Sequence, residues 1–564
     1  MLHAEGPLLT LDVDEREATE SDVDDVLAAF VGGRGVGTKL AHDRIPFDAD
    51  PLGADNRLVF AAGPLQTSIM SFTGRMSVTG LSPLTDGLVS SNAGGFMSRP
   101  FLATGYPAVE VMGASDTLLG VHVTDEGVTF EAVPDLEGAD VDETAEYIEA
   151  AHGLGDEHTA IVGPAGENEV RFASIMTSRS RAFGRGGLGA ALGAKNVKFL
   201  TFEGDSEPDL DVDVETVQTI HAEAARSDSP MKDAGTVSVS EYANSVGALP
   251  TRYFEELSYE HLDDIGAAAV IDHKYKKGTC SQCAFACKLP TRDEESGLET
   301  EGPEYETMMA FGSNSQVDDF VAIMKSNELC DTLGMDTISC GDVVAAYLQS
   351  EDEFGNVELI HETVEKIAYR DGIGDTLAEG IDRVHEELGV ENWTMKGMEF
   401  AAHDGRTLNG QGLSFATSNR GADHMYAEMY ELEYPLVAPD DALPKQGLEG
   451  KAEHLIEKEN ENAIKDSGVL CKFSSSHMDP GRFAALFDAD YERLQEIGAR
   501  IVELERHFNN QRGFDRADDE ALPYELDGLG EALTDYYDRR GWNDDGTVPE
   551  ANVSGGPGAA PADD

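Results

Sequence analysis

Three of the chain's six cysteines fall within one short stretch, Cys280-Ser-Gln-Cys283-Ala-Phe-Ala-Cys287. A fourth, Cys471, stands far along the chain in Asp466-Ser-Gly-Val-Leu-Cys471-Lys-Phe. Thiolates grouped this tightly converge on one metal centre without long excursions of the chain, and with a distant fourth they make a four-cysteine set for a 4Fe–4S cluster. Zinc accepts the same set, but structural zinc sites pair two short cysteine knuckles, and no second knuckle surrounds Cys471. Four buried, unligated thiols are the plain alternative. An iron–sulfur reading obliges the fold to bring residue 471 back to segment 280–287.

A chain of 564 residues exceeds one simple core, so two to four domains are expected. Forty-one lysines and arginines stand against 108 aspartates and glutamates, a net charge of −67. The acidic residues run along most of the chain, between long apolar segments that disordered acidic proteins lack. This composition suits a folded protein in a very salty cytoplasm, where at molar salt the Debye length falls to roughly 3 Å and self-repulsion is screened. Nucleic acid is excluded as a partner, because phosphate binding needs a basic face. The N-terminus, Met-Leu-His-Ala-Glu-Gly-Pro, has no basic segment followed by an apolar one, so no signal peptide is read there. With no apolar run long enough to span a bilayer, a cytoplasmic protein free of the membrane is expected.

Residues 1–205 hold short apolar runs punctuated by Gly, Pro and Asn, among them Arg57-Leu-Val-Phe-Ala-Ala, Gly87-Leu-Val-Ser-Ser and Val109-Glu-Val-Met-Gly. They read as strands joined by tight turns, with a helix at 142–152 and another from Gly187. From about 206 apolar residues recur every three or four positions, which predicts helices over 214–225, 317–334, 341–350, 360–369, 376–387, 452–465, 480–511 and 527–539. Gly- and Asn-rich turns near 402–422 divide the helical part. The class is α+β: an N-terminal β-rich domain over 1–205, helical domains over 206–405 and 406–545, and a disordered tail over 546–564.

Gly32-Gly-Arg-Gly-Val-Gly37-Thr-Lys superficially resembles a phosphate loop, but Thr precedes Lys, so a tight glycine turn remains beside a functional one. Gly184-Arg-Gly-Gly-Leu-Gly189 matches Gly-x-Gly-x-x-Gly without the buried strand that a dinucleotide fold places before it. Preceded by Arg179 and Arg181, and containing Arg185, it suits the phosphates of an anionic cofactor instead. Asn92-Ala93-Gly94-Gly95 is a turn whose amides or carbonyls can face a ligand. Asp331-Thr-Leu-Gly-Met-Asp336 and Asp466-Ser-Gly-Val-Leu470-Cys471 are related acidic turns, the two halves of a pseudo-symmetric site. Carboxylates there accept paired N–H bonds from a heterocycle. Glu306, in Gly-Pro-Glu-Tyr-Glu just after the cysteines, and His424 are acid–base candidates.

Together these residues make the chain resemble the aldehyde ferredoxin oxidoreductase family of tungsten enzymes. The likeness runs over nearly the full length through Gly-Arg75, Asn92-Ala-Gly-Gly, Gly163-Pro-Ala-Gly-Glu-Asn168, Arg181-Ala182 with Gly-Arg-Gly-Gly, the cysteine knot, Gly-Pro-Glu-Tyr-Glu, both acidic turns and Ala416-Thr-Ser-Asn-Arg-Gly. The resemblance implies two pyranopterin dithiolenes holding one tungsten, in some members molybdenum, beside a 4Fe–4S cluster on Cys280, Cys283, Cys287 and Cys471. It implies that Asp331 with Asp336, and Asp466 with Leu470, hold the two pterins. Asn92 and a carbonyl at Ala182 then bind a Mg2+ ion bridging the pterin phosphates, and Arg75 lies between cluster and pterin. The implied reaction is oxidation of an aldehyde to its carboxylic acid, with Glu306 as general base, His424 at the carbonyl oxygen and ferredoxin as electron acceptor.

Some members join subunits through an iron on a Glu-x-x-His element before the first acidic turn. Here Lys325-Ser-Asn-Glu328-Leu-Cys-Asp331 has no histidine, so a homodimer built on that iron is not expected. Cys330 and Cys340 read as buried thiols without ligands. Rival readings are a member acting on a phosphorylated aldehyde, a hydroxycarboxylate or an aromatic thioester, and, from another class, a non-enzymatic iron–sulfur or zinc protein.

Overall fold

The computed structural model describes residues 1–208, 210–434 and 442–553. Its first part contains twelve strands: β1 (Leu8–Asp12), β2 (Glu17–Ser21), β3 (Leu58–Ala61), β4 (Arg75–Leu81), β5 (Leu88–Gly94), β6 (Ala108–Met112), β7 (Leu119–Thr124), β8 (Gly127–Ala132), β9 (Thr159–Val162), β10 (Ile175–Thr177), β11 (Arg181–Phe183) and β12 (Val197–Glu203). They form two six-stranded mixed sheets, ordered β2-β1-β6-β3-β4-β5 and β11-β10-β9-β12-β7-β8. Alternate residues of each, such as Leu9, Leu11, Phe60 and Val78 from one and Val121, Val123, Leu200 and Phe202 from the other, bury one shared core. The inner edges, β4–β5 and the β10–β11 hairpin, meet the helical part.

Seven helices matter for the site: α1 (Gly33–Arg44), α2 (Val141–His152), α3 (Phe320–Leu333), α4 (Thr337–Glu351), α5 (Asn409–Thr417), α6 (Lys451–Ser467) and α7 (Tyr491–Gln511). The periodicity located α2, α3, α4 and α6 closely. The continuous helix expected over 480–511 is instead Pro480–Phe487 followed by α7, divided at Asp488 and its left-handed backbone. The turns expected near 402–422 contain α5. Its Asn-Gly-Gln-Gly opening lowers helix propensity, but the Glu433 carboxylate accepts from the Gly410 and Gln411 amides at 2.7 and 3.0 Å, supplying the missing cap. The first part of the expected disordered tail is ordered: Val548 is buried and Glu550–Val553 forms a helical turn; the rest of it, residues 554–564, lies outside the described residues. Among the described residues, no helix is long and apolar enough to cross a membrane.

Glycine contacts hold both acidic turns, the first against the second sheet and the second against α1. A Cβ on Gly163 would fall 2.4 Å from the Leu333 carbonyl oxygen. The Ser174 amide donates to the Gly334 carbonyl at 2.9 Å, and that of Asp336 to the Phe172 carbonyl at 3.1 Å. The second turn meets α1, where a Cβ on Gly33 would lie 2.3 Å from the Asp466 carbonyl oxygen and one on Gly35 2.8 Å from Ser467 Oγ. The glycine run at 32–37 is therefore a packing face, and its resemblance to a phosphate loop is incidental.

Candidate functional site

Cys280, Cys283, Cys287 and Cys471 line one small cavity with Phe72, Phe285 and Phe473. The fold thus brings residue 471 to the cysteine knot. The Cys471 amide donates to the Phe72 carbonyl at 2.8 Å, and the Ser281 amide to the Gly95 carbonyl at 2.8 Å. Glycines allow this approach: a Cβ on Gly74 would sit 2.7 Å from Ser281 N and O, and one on Gly94 3.1 Å from Cys280 Sγ. Burial works against the Cys280 thiolate, but Lys288, Arg181 and Arg75 together hold the thiol below its ordinary value. Burial pushes Cys287 and Cys471 up. Four thiols in an apolar pocket with cationic neighbours fit a cluster that carries thiolate ligands. Cys330 and Cys340 are buried in the helical core, away from this cavity.

Two larger cavities adjoin it. The first, about 240 Å³, is lined by Asp331, Asp336, Ala182, Arg181, Glu306 and Lys288, among others. The second, about 210 Å³, is lined by Asp466, Leu470, His424, Arg185, Arg420 and Lys472, among others. Arg75, Asn92, Gly184 and Ile338 border both, so they stand between the two halves. Arg75 alone among these also borders the thiol cavity. Each acidic turn thus borders one of the two cavities.

Strand alternation decides which side chains reach the cavities. Arg75 pairs with Gly94 and Ser77 with Asn92, so Arg75 and Asn92 share a face of the β4–β5 ribbon. Arg75 Nε donates to Asn92 Oδ1 at 2.5 Å and Nη2 to the Asn92 carbonyl at 3.0 Å, leaving the buried Asn92 Nδ2 without a partner. Ala93 points the other way, into the core between the sheets, and does not line either cavity. Gly95, at φ 121°, borders the knot and neither cavity. Arg181 lines the first cavity and pairs with Glu301. Arg185 spends its guanidinium on the Ala422 and Glu399 carbonyls at 2.9 and 2.5 Å, which fixes the loop before His424. Arg179 turns away to Asp156 and Asp142 at 2.8 and 3.2 Å.

The acidic turns differ in their electrostatics. Asp336 caps α4 through the Ile338 and Ser339 amides and lies 3.4 Å from Arg185 Nε. Burial pushes Asp331 up to about 7, against the pull of Arg181. Asp466 carries two cations, Arg34 Nη1 at 3.3 Å and Lys472 Nζ at 3.0 Å. Its turn contains Val469 at φ 51°, a left-handed conformation costly for a β-branched residue and held by Gln66 Nε2 donating to the Val469 carbonyl at 3.0 Å.

Glu306 lies in the first turn of a short helix, Tyr305–Met308, that runs into a π-helical turn at Met309–Ser313, a distortion frequent at functional sites. The Ala402 amide donates to its Oε2 at 2.8 Å, and its Oε1 lies 3.3 Å from His424 Nε2. Glu306 borders the first cavity and His424 the second, so this pair meets where the halves join. Beside it His403 stacks on Tyr430 at 3.9 Å, and burial, then the neighbouring His424, hold His403 well below its ordinary value. Sequence reasoning passed over Lys288 and Lys472. Each directly follows a cluster-type cysteine and pairs at 3.0 Å with an acid of its half, Glu304 or Asp466. Two lysines so placed, in a chain poor in lysine, were the available signal.

Comparison with known proteins decides the family. The profile described as "Aldehyde ferredoxin oxidoreductase, N-terminal domain" matches residues 8–204, and that of "domains 2 & 3" matches 215–554. The chain belongs to the aldehyde ferredoxin oxidoreductase family. It is 32% identical to the tungsten-containing aldehyde ferredoxin oxidoreductase of Pyrococcus furiosus, over 97% of this chain and 98% of that protein. The corresponding Thermococcus kodakarensis protein is 33% identical, over 96% and 97%. An aliphatic sulfonate oxidoreductase, WOR-like subunit, of Pyrococcus furiosus is 26% identical over 89% and 85%. The active-site complex BamBC of benzoyl coenzyme A reductase in complex with 1,5-dienoyl-CoA shares the fold, with TM-score 0.84, 22% identity and coverage of 98% and 97%. As a member of an oxidoreductase family, the chain is set apart from the non-enzymatic iron–sulfur or zinc protein that its cysteines alone permitted.

Proposed function

We propose that this chain oxidises an aldehyde to the carboxylic acid at a tungsten bis-pyranopterin centre and passes the electrons through a 4Fe–4S cluster to ferredoxin. The observation that carries the reading is the pair of cavities, each with its own acidic turn, joined at Glu306 and His424 and bordered by the four-thiol pocket through Arg75. The residues suit the groups. Asp331, Asp336 and Asp466 offer acceptors to pterin N–H groups, and the unpartnered Asn92 Nδ2 offers a donor to a phosphate beside the Mg2+ ion expected at Asn92 and Ala182. Four thiols hold the cluster. When bound, the tungsten centre takes the electron pair from the substrate and the cluster divides it into single electrons.

The chain's own part is positioning and proton transfer. The Ala402 amide fixes one oxygen of Glu306, so the other is aimed at the space beside His424. Glu306 accepts a proton as an oxygen nucleophile derived from water attacks the carbonyl carbon. His424 Nε2 holds the carbonyl oxygen. The aromatic ring of Tyr430 and the neutral His403 narrow the approach and keep bulk water from that oxygen. Glu306→Gln keeps the shape and the acceptor for the Ala402 amide. Its kcat should fall about 10²- to 10⁴-fold, the range of one positioned base, with tungsten and iron per chain unchanged. Full turnover by the metal-loaded variant sinks the assignment.

A further inference from the structure

At the far side of the second sheet lies a cluster that this reading does not use. β7 and β8 stand at the edge opposite the β10–β11 hairpin, and β7 is four strand spacings, roughly 19 Å, from β11. His122 on β7 faces Thr129 of β8 and Thr201 of β12 in register, and Glu131 lies two residues beyond Thr129 on the same face. Helix α2 packs over that face and ends in His152.

The three side chains converge. His122 Nε2 and His152 Nε2 each lie 3.1 Å from Glu131 Oε2, and all three ligand-type atoms fall within 4.8 Å of one another. Ligands 2.0–2.2 Å from a tetrahedral zinc ion stand about 3.3 Å apart, close to both measured separations. Second partners orient two of the three. Tyr147 donates its hydroxyl to Glu131 Oε1 at 2.7 Å, which turns Oε2 toward the imidazoles. Thr201 Oγ1 lies 2.8 Å from His122 Nδ1 and can accept its proton, which leaves Nε2 free to ligate. The two imidazole ring centres stand 4.2 Å apart with the planes tilted by 46°. A hydrogen-bonded trio needs neither the shared oxygen nor both supports.

We propose that His122, Glu131 and His152 form a binding site for a borderline divalent ion, zinc above all, with water completing the coordination. Two imidazoles and one carboxylate suit zinc, copper or nickel, and not calcium or magnesium, which prefer all-oxygen shells. The ion ties the C-terminal end of α2 to the edge pair β7–β8. The net charge of −67 concentrates cations at such a surface.

The test uses the protein as isolated, kept anaerobic and freed of loosely held metal with EDTA. Zn2+ is added in slight excess, unbound metal is removed by gel filtration, and zinc is counted against tungsten and iron. The wild type should keep one added zinc per chain, and His122→Ala and His152→Ala at least tenfold less at the same free zinc, with tungsten and iron unchanged. Zinc-edge X-ray absorption should show nitrogen and oxygen neighbours only. If a histidine variant loses tungsten or iron, Glu131→Gln is read in its place. Equal zinc in wild type and variants, no zinc in the wild type, or sulfur among the zinc's neighbours, which places the ion on the cysteine knot, overturns the proposal.

Discussion

Replacing Arg34 by methionine probes the contact that fixes the second acidic turn. Arg34 is 1% exposed. Its Nε and Nη2 donate to Glu505 at 2.8 and 2.7 Å, its Nη1 lies 3.3 Å from Asp466, and its guanidinium sits 3.5 Å above the Tyr426 ring. Methionine keeps the apolar stem and loses the charge. Asp466 still has Lys472 at 3.0 Å, but among the described residues Glu505 keeps only the Thr38 hydroxyl at 3.1 Å. Stranding one carboxylate of a buried pair costs about 3–5 kcal/mol. Taking about 4 kcal/mol against an unfolding entropy of roughly 2.1 cal/mol/K per residue, about 1.2 kcal/mol/K for 564 residues, Tm should fall by about 3 °C. The fall is read by near-ultraviolet circular dichroism at fixed salt, beside tungsten and iron content. Adding Glu505→Gln removes the stranded charge and should recover at least half of the loss, because the penalty lies in the unpaired acid and not in the missing contact. A single variant melting within about 1 °C of wild type, or a double variant melting no higher than the single one, refutes this account.

Other tests bear on the first half of the site. Asp331, pushed up to about 7 by burial in the folded chain, has an unfolded value of about 3.9. Its contribution to stability is present at low pH and lost as pH rises through 7. In cofactor-free protein the urea midpoint of Asp331→Asn should therefore gain on wild type from about pH 4 to pH 7 and level off above; a difference flat in pH contradicts this. Gly74→Ala places a methyl 2.7 Å from the Ser281 backbone, so iron per chain should drop severalfold while the sheets, followed by far-ultraviolet circular dichroism, persist. Unchanged iron would mean that the knot tolerates displacement.

What the sequence discloses about this site follows the range of the interactions. The cysteine knot, the two acidic turns and the Asn92 turn are local patterns, and each borders the thiol pocket or one of the cavities. Alternation along β5 was equally available and would have separated Ala93 from Asn92. Arg179 and Arg185 were grouped by proximity in sequence, but left-handed backbone at Ser178 and Arg179 turns the first away from the cavities. Helix α5 was illegible because its cap, Glu433, comes from 23 residues downstream. The Arg34–Glu505 pair spans 471 positions and has no local signature at all.

That last separation bears on how the molecule is made. Helix α1 emerges early from the ribosome, but the acid that neutralises its buried arginine follows 471 residues later. At about 5–20 residues per second, translation alone takes roughly 25–95 s to supply it. During that interval Gly33 and Gly35 of α1 lack the Asp466–Ser467 segment they pack against, and the second cavity lacks the wall that α6 and Asp466 provide. The second cavity is therefore closed only when the last third of the chain returns to the first.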